Sequence, residues 1–292
     1  AKRMRVQFFG PELANRAQEI RDGISMLTGK HVLSFHLAPM VHWPEVMVTY
    51  DRTTETLFSA DAFGTFGALD GNLFADQIDF REWLGEYRRY YTNIVGKYGV
   101  QVQQLLKKAG NLTISRICPL HGPIWRENLS AILEKYQLWS TYTPEEKGVV
   151  IAYASIYGNT ELACQALAHE LSQQGVRDVK LLDLSREHPS YVLAEAFRYS
   201  HLVLASVTYN GDLFPDMEHF ILSLKAHGLK GRTIALMENG SWAPVAARKM
   251  DELLTGILHN RLGRVLTKAA GIKGKQFVKE ISNAELAEVI VA

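Results

Sequence analysis

The run VVIAYASIYGNTELACQALAHELSQQG (149–175) holds a strand, a loop and a helix in one line. VVIAYAS is continuously apolar, the pattern of a strand buried on both faces, as in a parallel sheet. TELACQALAHELSQQG has helical spacing and stops at a glycine, Gly175. Between them lies SIYGNTE (Ser155 to Glu161), rich in hydroxyls and containing Gly158. Its backbone N–H groups and the start of the following helix would form an anion site, to which Ser155, Asn159 and Thr160 add side-chain donors. The loop lacks the GKS or GKT ending of a Walker loop and the GxGxxG of a dinucleotide fingerprint.

The same grammar continues to the end of the chain. VKLLDL, HLVLASV and RTIALME read as strands. SYVLAEAFRYS, FPDMEHFILSLKAHG and APVAARKMDELLTGILHNRLG read as helices, and a strand near RVLTK and a helix NAELAEVIV close the pattern. Apolar strands alternating with amphipathic helices predict a doubly wound parallel sheet, which binds ligands beyond the carboxyl ends of its strands. Two further loops fall there: SVTYNGD (Ser206 to Asp212) and ENGSWAP (Glu238 to Pro244), each with one aromatic, Tyr209 and Trp242. Such residues also serve simply to cap helices, so one loop alone says little. An anion cradle with two aromatic loops at one sheet edge suits a flat, polar-edged ring bearing a phosphate, a description that fits FMN. The candidate FMN contacts are Ser155, Ile156, Tyr157, Gly158, Asn159, Thr160, Val207, Thr208, Tyr209, Asn210, Asn239, Gly240, Ser241 and Trp242.

Ahead of this half, TYTPEEKG (141–148) is polar and aperiodic, which predicts a boundary between domains 1–143 and 144–292. In the first domain RVQFF and HVLSFHL read as strands, and MVTYD and TLFSAD as a strand–turn–strand. PELANRAQEIRDGIS has helical spacing through Leu13, Ala17, Ile20 and Ile24. FREWLGEYRRYYTNIVGKYG predicts a long aromatic-rich helix, VQVQQLLKKAG a second one ended by Gly110, and PIWRENLSAILEKYQLWS another. NLTISRICPLHG is a strand running into a loop. His42, Asp61 and His121 each stand where a strand gives way to a loop. Imidazole and carboxylate suit iron or zinc, and a carboxylate can bridge two metals. By spacing alone, the same residues fit hydrogen-bonded structural histidines and a capping aspartate.

Composition narrows the field. The 292 residues are 47% hydrophobic and 22% charged, with a net charge of +1 that argues for no polyanionic partner such as nucleic acid. The two cysteines, Cys118 and Cys164, form no CxxC pair, which excludes a cysteine-built metal site. No apolar run reaches membrane-spanning length, and a cytoplasmic location is the default expectation.

Six motifs carry a resemblance to the flavodiiron proteins, also called A-type flavoproteins. YASIYGNTE is similar to their phosphate loop, and TYNG and GSW match their later flavin loops. Val207 departs from the proline often found in the second loop. HWP, SADAFG and HGPIW resemble the late ligand motifs of the metallo-β-lactamase-like domain that precedes the flavodoxin domain in that family, with nineteen residues from His42 to Asp61 and sixty from Asp61 to His121. The resemblance implies an α/β chain in which part of a metallo-β-lactamase-like αββα domain precedes a flavodoxin-like doubly wound parallel sheet. It implies His42 on one iron, Asp61 bridging and His121 on the other. FMN would pass electrons to a non-haem diiron centre reducing dioxygen to water, nitric oxide to nitrous oxide, or both. It further implies a head-to-tail homodimer or tetramer and an external donor such as rubredoxin or a flavin reductase.

The family's early ligands, an HxExDH segment, do not occur in the sequence, and the chain opens on Ala1. The expectation is a piece lacking the N-terminal part of its first domain, the remaining iron ligands lying in that part. Two other readings compete. One is an FMN-only electron-transfer flavoprotein without a functional metal site. The other is a metallo-β-lactamase-like hydrolase, which has no use for flavin loops.

Overall fold

The computed structural model describes residues 2–241 and 243–255. The chain divides into two compact units, Ala1–Thr141 and Tyr142–Ala292.

In the first unit a helix, α1 (Lys2–Phe9), and a single 3-10 turn (Pro11–Arg16) precede a five-stranded sheet. Its strands are β1 (Ser25–Thr28), β2 (His31–Leu37), β3 (Met47–Asp51), β4 (Thr56–Phe58) and β5 (Arg116–Cys118), side by side in that order. β1 to β4 are antiparallel and β5 joins β4 in parallel. The expected strand–turn–strand is the β3–β4 pair. Three helices follow β4 and β5: α2 (Phe80–Ile94), α3 (Gly99–Ala109) and α4 (Leu129–Ser140). Asp79 starts α2 by accepting from the Arg81 amide at 2.9 Å. The core of the unit is aromatic: Tyr87, Tyr91, Tyr136, Trp139 and Phe63 are all fully buried, with Phe63 and Tyr136 centroids 4.5 Å apart.

Three sequence expectations depart from the structure here. RVQFF is helix, not strand. Among the described residues no strand pairs with it, and a helix satisfies its backbone groups internally. PELANRAQEIRDGIS keeps only the 3-10 turn: Ala17 is already extended, Gly23 has φ +77°, and the Phe35 amide donates to the Ile24 carbonyl while the Gly23 amide donates to the Phe35 carbonyl, which draws the chain into the sheet. Sheet pairing overrides the helical spacing. The long aromatic helix also ends earlier, at Ile94, and reaches α3 through a 3-10 turn (Gly96–Tyr98).

The second unit alternates strictly. Its elements are β6 (Glu146–Ala154), α5 (Asn159–Gln173), β7 (Val179–Asp183), α6 (Pro189–Arg198), β8 (Tyr199–Tyr209), β9 (Asp212–Leu213), α7 (Pro215–Ala226), β10 (Thr233–Asn239) and α8 (Ala246–Thr255). The main strands run β10-β8-β6-β7, all parallel. The last seven residues of β6 are buried, as its unbroken apolar run requires. From β6 the chain goes to β7 on one side and then to β8 on the other, so a topological switch point opens at the carboxyl end of β6. β9 is an addition: it folds back on β8 through Asn210 (φ +51°) and Gly211 (φ +71°), the two-residue Asn-Gly turn of a tight hairpin. The strand expected near RVLTK and the helix NAELAEVIV lie outside the described residues.

Candidate functional site

A cleft of about 400 Å³ sits at the carboxyl edge of the parallel sheet. The loop after β6 and the start of α5 line it with Ser155, Ile156, Tyr157, Asn159 and Thr160, the end of β8 and the β8–β9 turn with Val207, Thr208 and Asn210, and the end of β10 and the loop after it with Asn239, Gly240 and Ser241. Eleven of the fourteen expected contacts therefore meet in one place. Gly158 does not line the cleft but shapes it: at φ +80° it holds the left-handed conformation from which α5 starts. Tyr209 stands outside the lining, edge-on to Phe214 at 5.6 Å. Trp242 lies outside the described residues. Sequence reasoning missed Gly211 and Ala243, both of which line the cleft, although the Asn-Gly pair marked the first.

The loops brace one another. Asn239 Nδ2 donates to Thr160 Oγ1 at 3.3 Å, tying the third loop to the first. Thr208 Oγ1 accepts from the amides of Val245 (2.9 Å) and Ala246 (3.2 Å), and Glu238 Oε2 accepts from Ala247 at 3.0 Å, so residues of two loops cap the start of α8. Gly240 runs close beneath Pro244, where an added Cβ would come within 3.2 Å. Among the described residues no lysine or arginine lines the cleft. The described residues would hold a phosphate there through backbone amides, hydroxyls and the α5 N-terminus. This donor set and volume fit FMN.

The first unit has a recess, again about 400 Å³, lined by His42, Asp61, Thr65, Phe66, Tyr90 and His121 among others. Nε2 of His121 is 3.6 Å from Oδ1 of Asp61, and the Tyr90 hydroxyl donates to the same oxygen at 3.4 Å. Burial, with the Asp61 carboxylate beside it, pushes the Tyr90 phenol above its ordinary range. The backbone around Asp61 is fixed from the aromatic core: the Phe63 amide donates to Tyr136 Oη at 2.6 Å and Trp125 Nε1 donates to the Phe63 carbonyl at 3.3 Å. Gly122, at φ +90°, lets the His121 loop close over Thr65, where a Cβ would come 2.5 Å from Thr65 Cγ2. The sequence missed Tyr90, whose place in the recess follows from α2 crossing it.

The three expected ligands thus share one recess, but among the described residues no three His, Cys, Asp or Glu side chains converge as a metal-holding group. Asp61 and His121 form a pair, not a closed shell. The remaining described histidines have structural partners where contacts are resolved: His31 with Asp51 at 2.6 Å, His36 with Ser34 at 3.2 Å, and His188 with Ser190 at 2.8 Å. Among the described residues no helix is long and apolar enough to cross a membrane.

Comparison with known proteins agrees with this geometry. Residues 3–122 match the ODP family beta lactamase and residues 151–276 match flavodoxin. The anaerobic nitric oxide reductase flavorubredoxin of Vibrio vulnificus is 30% identical over 253 residues, 84% of this chain and 50% of that protein. The protein of the same name from Aliivibrio fischeri is 29% identical over 242 residues, 80% of this chain and 47% of that one. The chain spans about half the length of these curated relatives. Among solved structures, the rubredoxin oxygen:oxidoreductase from the anaerobe Desulfovibrio gigas superimposes with a TM-score of 0.85 at 24% identity, covering 99% of this chain and 70% of that one, which shows a shared fold. A beta-lactamase-like domain followed by a flavodoxin domain, with these homologues, makes the chain a member of the flavodiiron family.

Proposed function

We propose that the chain is an FMN-dependent oxidoreductase of the flavodiiron type, acting in the reduction of dioxygen or nitric oxide. The observation that carries this reading is the convergence of three separate loops on one phosphate-accepting cleft at the switch point of the sheet. Bound FMN supplies reversible electron storage. The chain's part is to seat its phosphate on the Ser155–Thr160 loop, to brace that loop through Asn239, and to present the β8–β9 turn and the Gly240 loop around the ring. The gas substrates are those named for the relatives from Vibrio vulnificus and Desulfovibrio gigas. Electrons come from an external donor such as rubredoxin or a flavin reductase, in a cytoplasmic head-to-tail homodimer or tetramer. The domains proposed are 1–143 for the metal-binding part and 144–292 for the flavin-binding part. His42, Asp61 and His121 are proposed as part of an iron shell that the described residues do not complete on their own.

A second reading takes the Asp61–His121 contact as purely structural: an FMN-only electron-transfer flavoprotein without a functional metal site. Reconstitution with FMN, followed by iron analysis and by the rate at which dioxygen or nitric oxide reoxidises the reduced protein, separates the two. About one FMN with bound iron and fast, iron-dependent reoxidation supports the first. FMN without iron, with electrons passed only to another redox protein, supports the second. A chain that takes up no FMN overturns both.

A further inference from the structure

The second unit has another cavity, of about 300 Å³, at the amino-terminal edge of its parallel sheet, the end opposite the flavin cleft. Three segments build it: Lys147, Gly148 and Val149 near the start of β6, the loop from Gln174 to Asp178 after α5, and His201 in β8. The strand is irregular here. Glu146 pairs with Tyr199 and Val149 with His201, so β6 spends one residue more than β8. Such a bulge re-aims side chains, and here it sets Lys147 on the cavity wall.

The loop is seated firmly on the bulge. The Val149 amide donates to the Asp178 carbonyl at 2.9 Å. An added Cβ on Gly148 would lie 2.8 Å from that carbonyl oxygen and 2.5 Å from Tyr199 Cδ1, so only glycine fits. Arg177 is thereby brought to the same cavity as Lys147. The half-buried His201 lines the same cavity, with Nδ1 2.8 Å from Ser200 Oγ. Burial, then the charge of Lys147, lowers the His201 imidazole below its ordinary range. Two basic residues, Lys147 and Arg177, thus line the cavity together with one acidic residue, Asp178.

We infer that this cavity is a second anion site that takes a phosphomonoester of a small polyhydroxy compound, its phosphate on Lys147 and Arg177 and its hydroxyls toward Asp178. Guanidinium and ammonium groups are the side chains that meet phosphate oxygens best, by fork and by point charge. The volume lies at the small end of the range for organic ligands and exceeds what a bare oxyanion fills. A carboxylate beside the cations disfavours a simple anion and suits a ligand that also carries hydroxyl donors. The inference stands independently of what occupies the flavin cleft.

Ribose 5-phosphate titrated into the whole chain tests it, read by calorimetry and by the His201 imidazole resonances. The expected result is saturable binding that moves the His201 signals. Lys147→Ala with Arg177→Ala weakens it at least about tenfold, the loss of charge-assisted hydrogen bonds. Both side chains are on exposed residues, so the variant keeps its fold, which its thermal midpoint checks. Lys147→Arg with Arg177→Lys retains binding. Ser155→Ala with Thr160→Ala, in the flavin loop, leaves it unchanged. Ribose gives no signal and inorganic phosphate binds more weakly than the ester. No saturable binding, binding indifferent to the loss of both cations, or binding abolished by the flavin-loop variant overturns the site. Equal affinity for inorganic phosphate overturns the ester.

Discussion

Nε2 of His121 and Oδ1 of Asp61 stand 3.6 Å apart although sixty residues separate them, and the Tyr90 hydroxyl donates to that same oxygen. Asp61 is nearly buried, at 13% side-chain exposure, while His121 is open at 58%. The carboxylate is thus the fixed member of the pair and the imidazole the accessible one. If the two belong to a metal shell, Asp61→Ala lowers the affinity for added Fe²⁺ or Zn²⁺ by more than about tenfold, and Tyr90→Phe, which only orients the carboxylate, has a smaller effect. FMN stoichiometry stays unchanged in both. Metal analysis after dialysis and the flavin absorbance read the two quantities separately. Equal metal uptake by wild type and Asp61→Ala would show the pair to be a structural ion pair.

Gly158 offers a test of the flavin loop that adds no bulk. Its φ of +80° favours glycine, while an added Cβ would meet nothing within 4 Å. The cost of Gly158→Ala is therefore conformational, about 1 to 2 kcal/mol. Because the strain falls on the loop that starts α5, FMN affinity is expected to drop about five- to thirtyfold if the loop must hold this shape to bind. Asn tolerates the left-handed region better, so Gly158→Asn recovers part of the loss. Flavin fluorescence titration measures both; unchanged affinity in the alanine variant would separate the loop's conformation from binding.

Much of this was legible because the second unit is built from local pattern. The apolar run of β6 could only be a buried strand, and in a parallel sheet its carboxyl end is the natural ligand edge. The three loops were found as loops for that reason. The first unit was less legible. RVQFF has strand-like residues but, among the described residues, no strand beside it, and the Ile24 carbonyl leaves its helical spacing to accept from Phe35. Tyr90 reaches Asp61 across twenty-nine residues, a contact that helix periodicity places on a buried face without naming its partner. By residue pattern alone His42 and Asp61 carried no signal of convergence beyond their positions at strand ends; only the resemblance of HWP, SADAFG and HGPIW to one family's ligand motifs brought them together with His121.

Thr208 links the second flavin loop to α8. Its hydroxyl accepts from two amides at the helix start, those of Val245 and Ala246. Thr208→Val preserves the shape and removes the acceptor, leaving both donors to find other partners at a cost of about 1 to 2 kcal/mol. Thr208→Ser keeps the bonds and most of the stability. Since Thr208 also lines the cleft, the valine variant is expected to lose FMN affinity along with its thermal midpoint, whereas loss of neither would mean that α8 is held by packing alone.

Acid should loosen the first unit at the β2–β3 hairpin, and Asp51 is the group to watch. Burial pushes its carboxyl up, but the Thr54 hydroxyl (2.7 Å), the His31 ring (2.6 Å) and the Thr53 amide (3.0 Å) outweigh that and hold it below its ordinary value. The unfolded chain therefore binds a proton more readily than the folded one between the two values. Stability from this group is fully present above the unfolded carboxylate value near pH 4 and is lost as pH falls through the lower folded one. Asp51→Asn removes that contribution, so the variant is less stable than wild type at neutral pH and the difference shrinks below about pH 4. Urea unfolding monitored at pH 7 and pH 3 measures it; a stability gap that stays constant between those pH values would assign the effect of the substitution to packing rather than to charge.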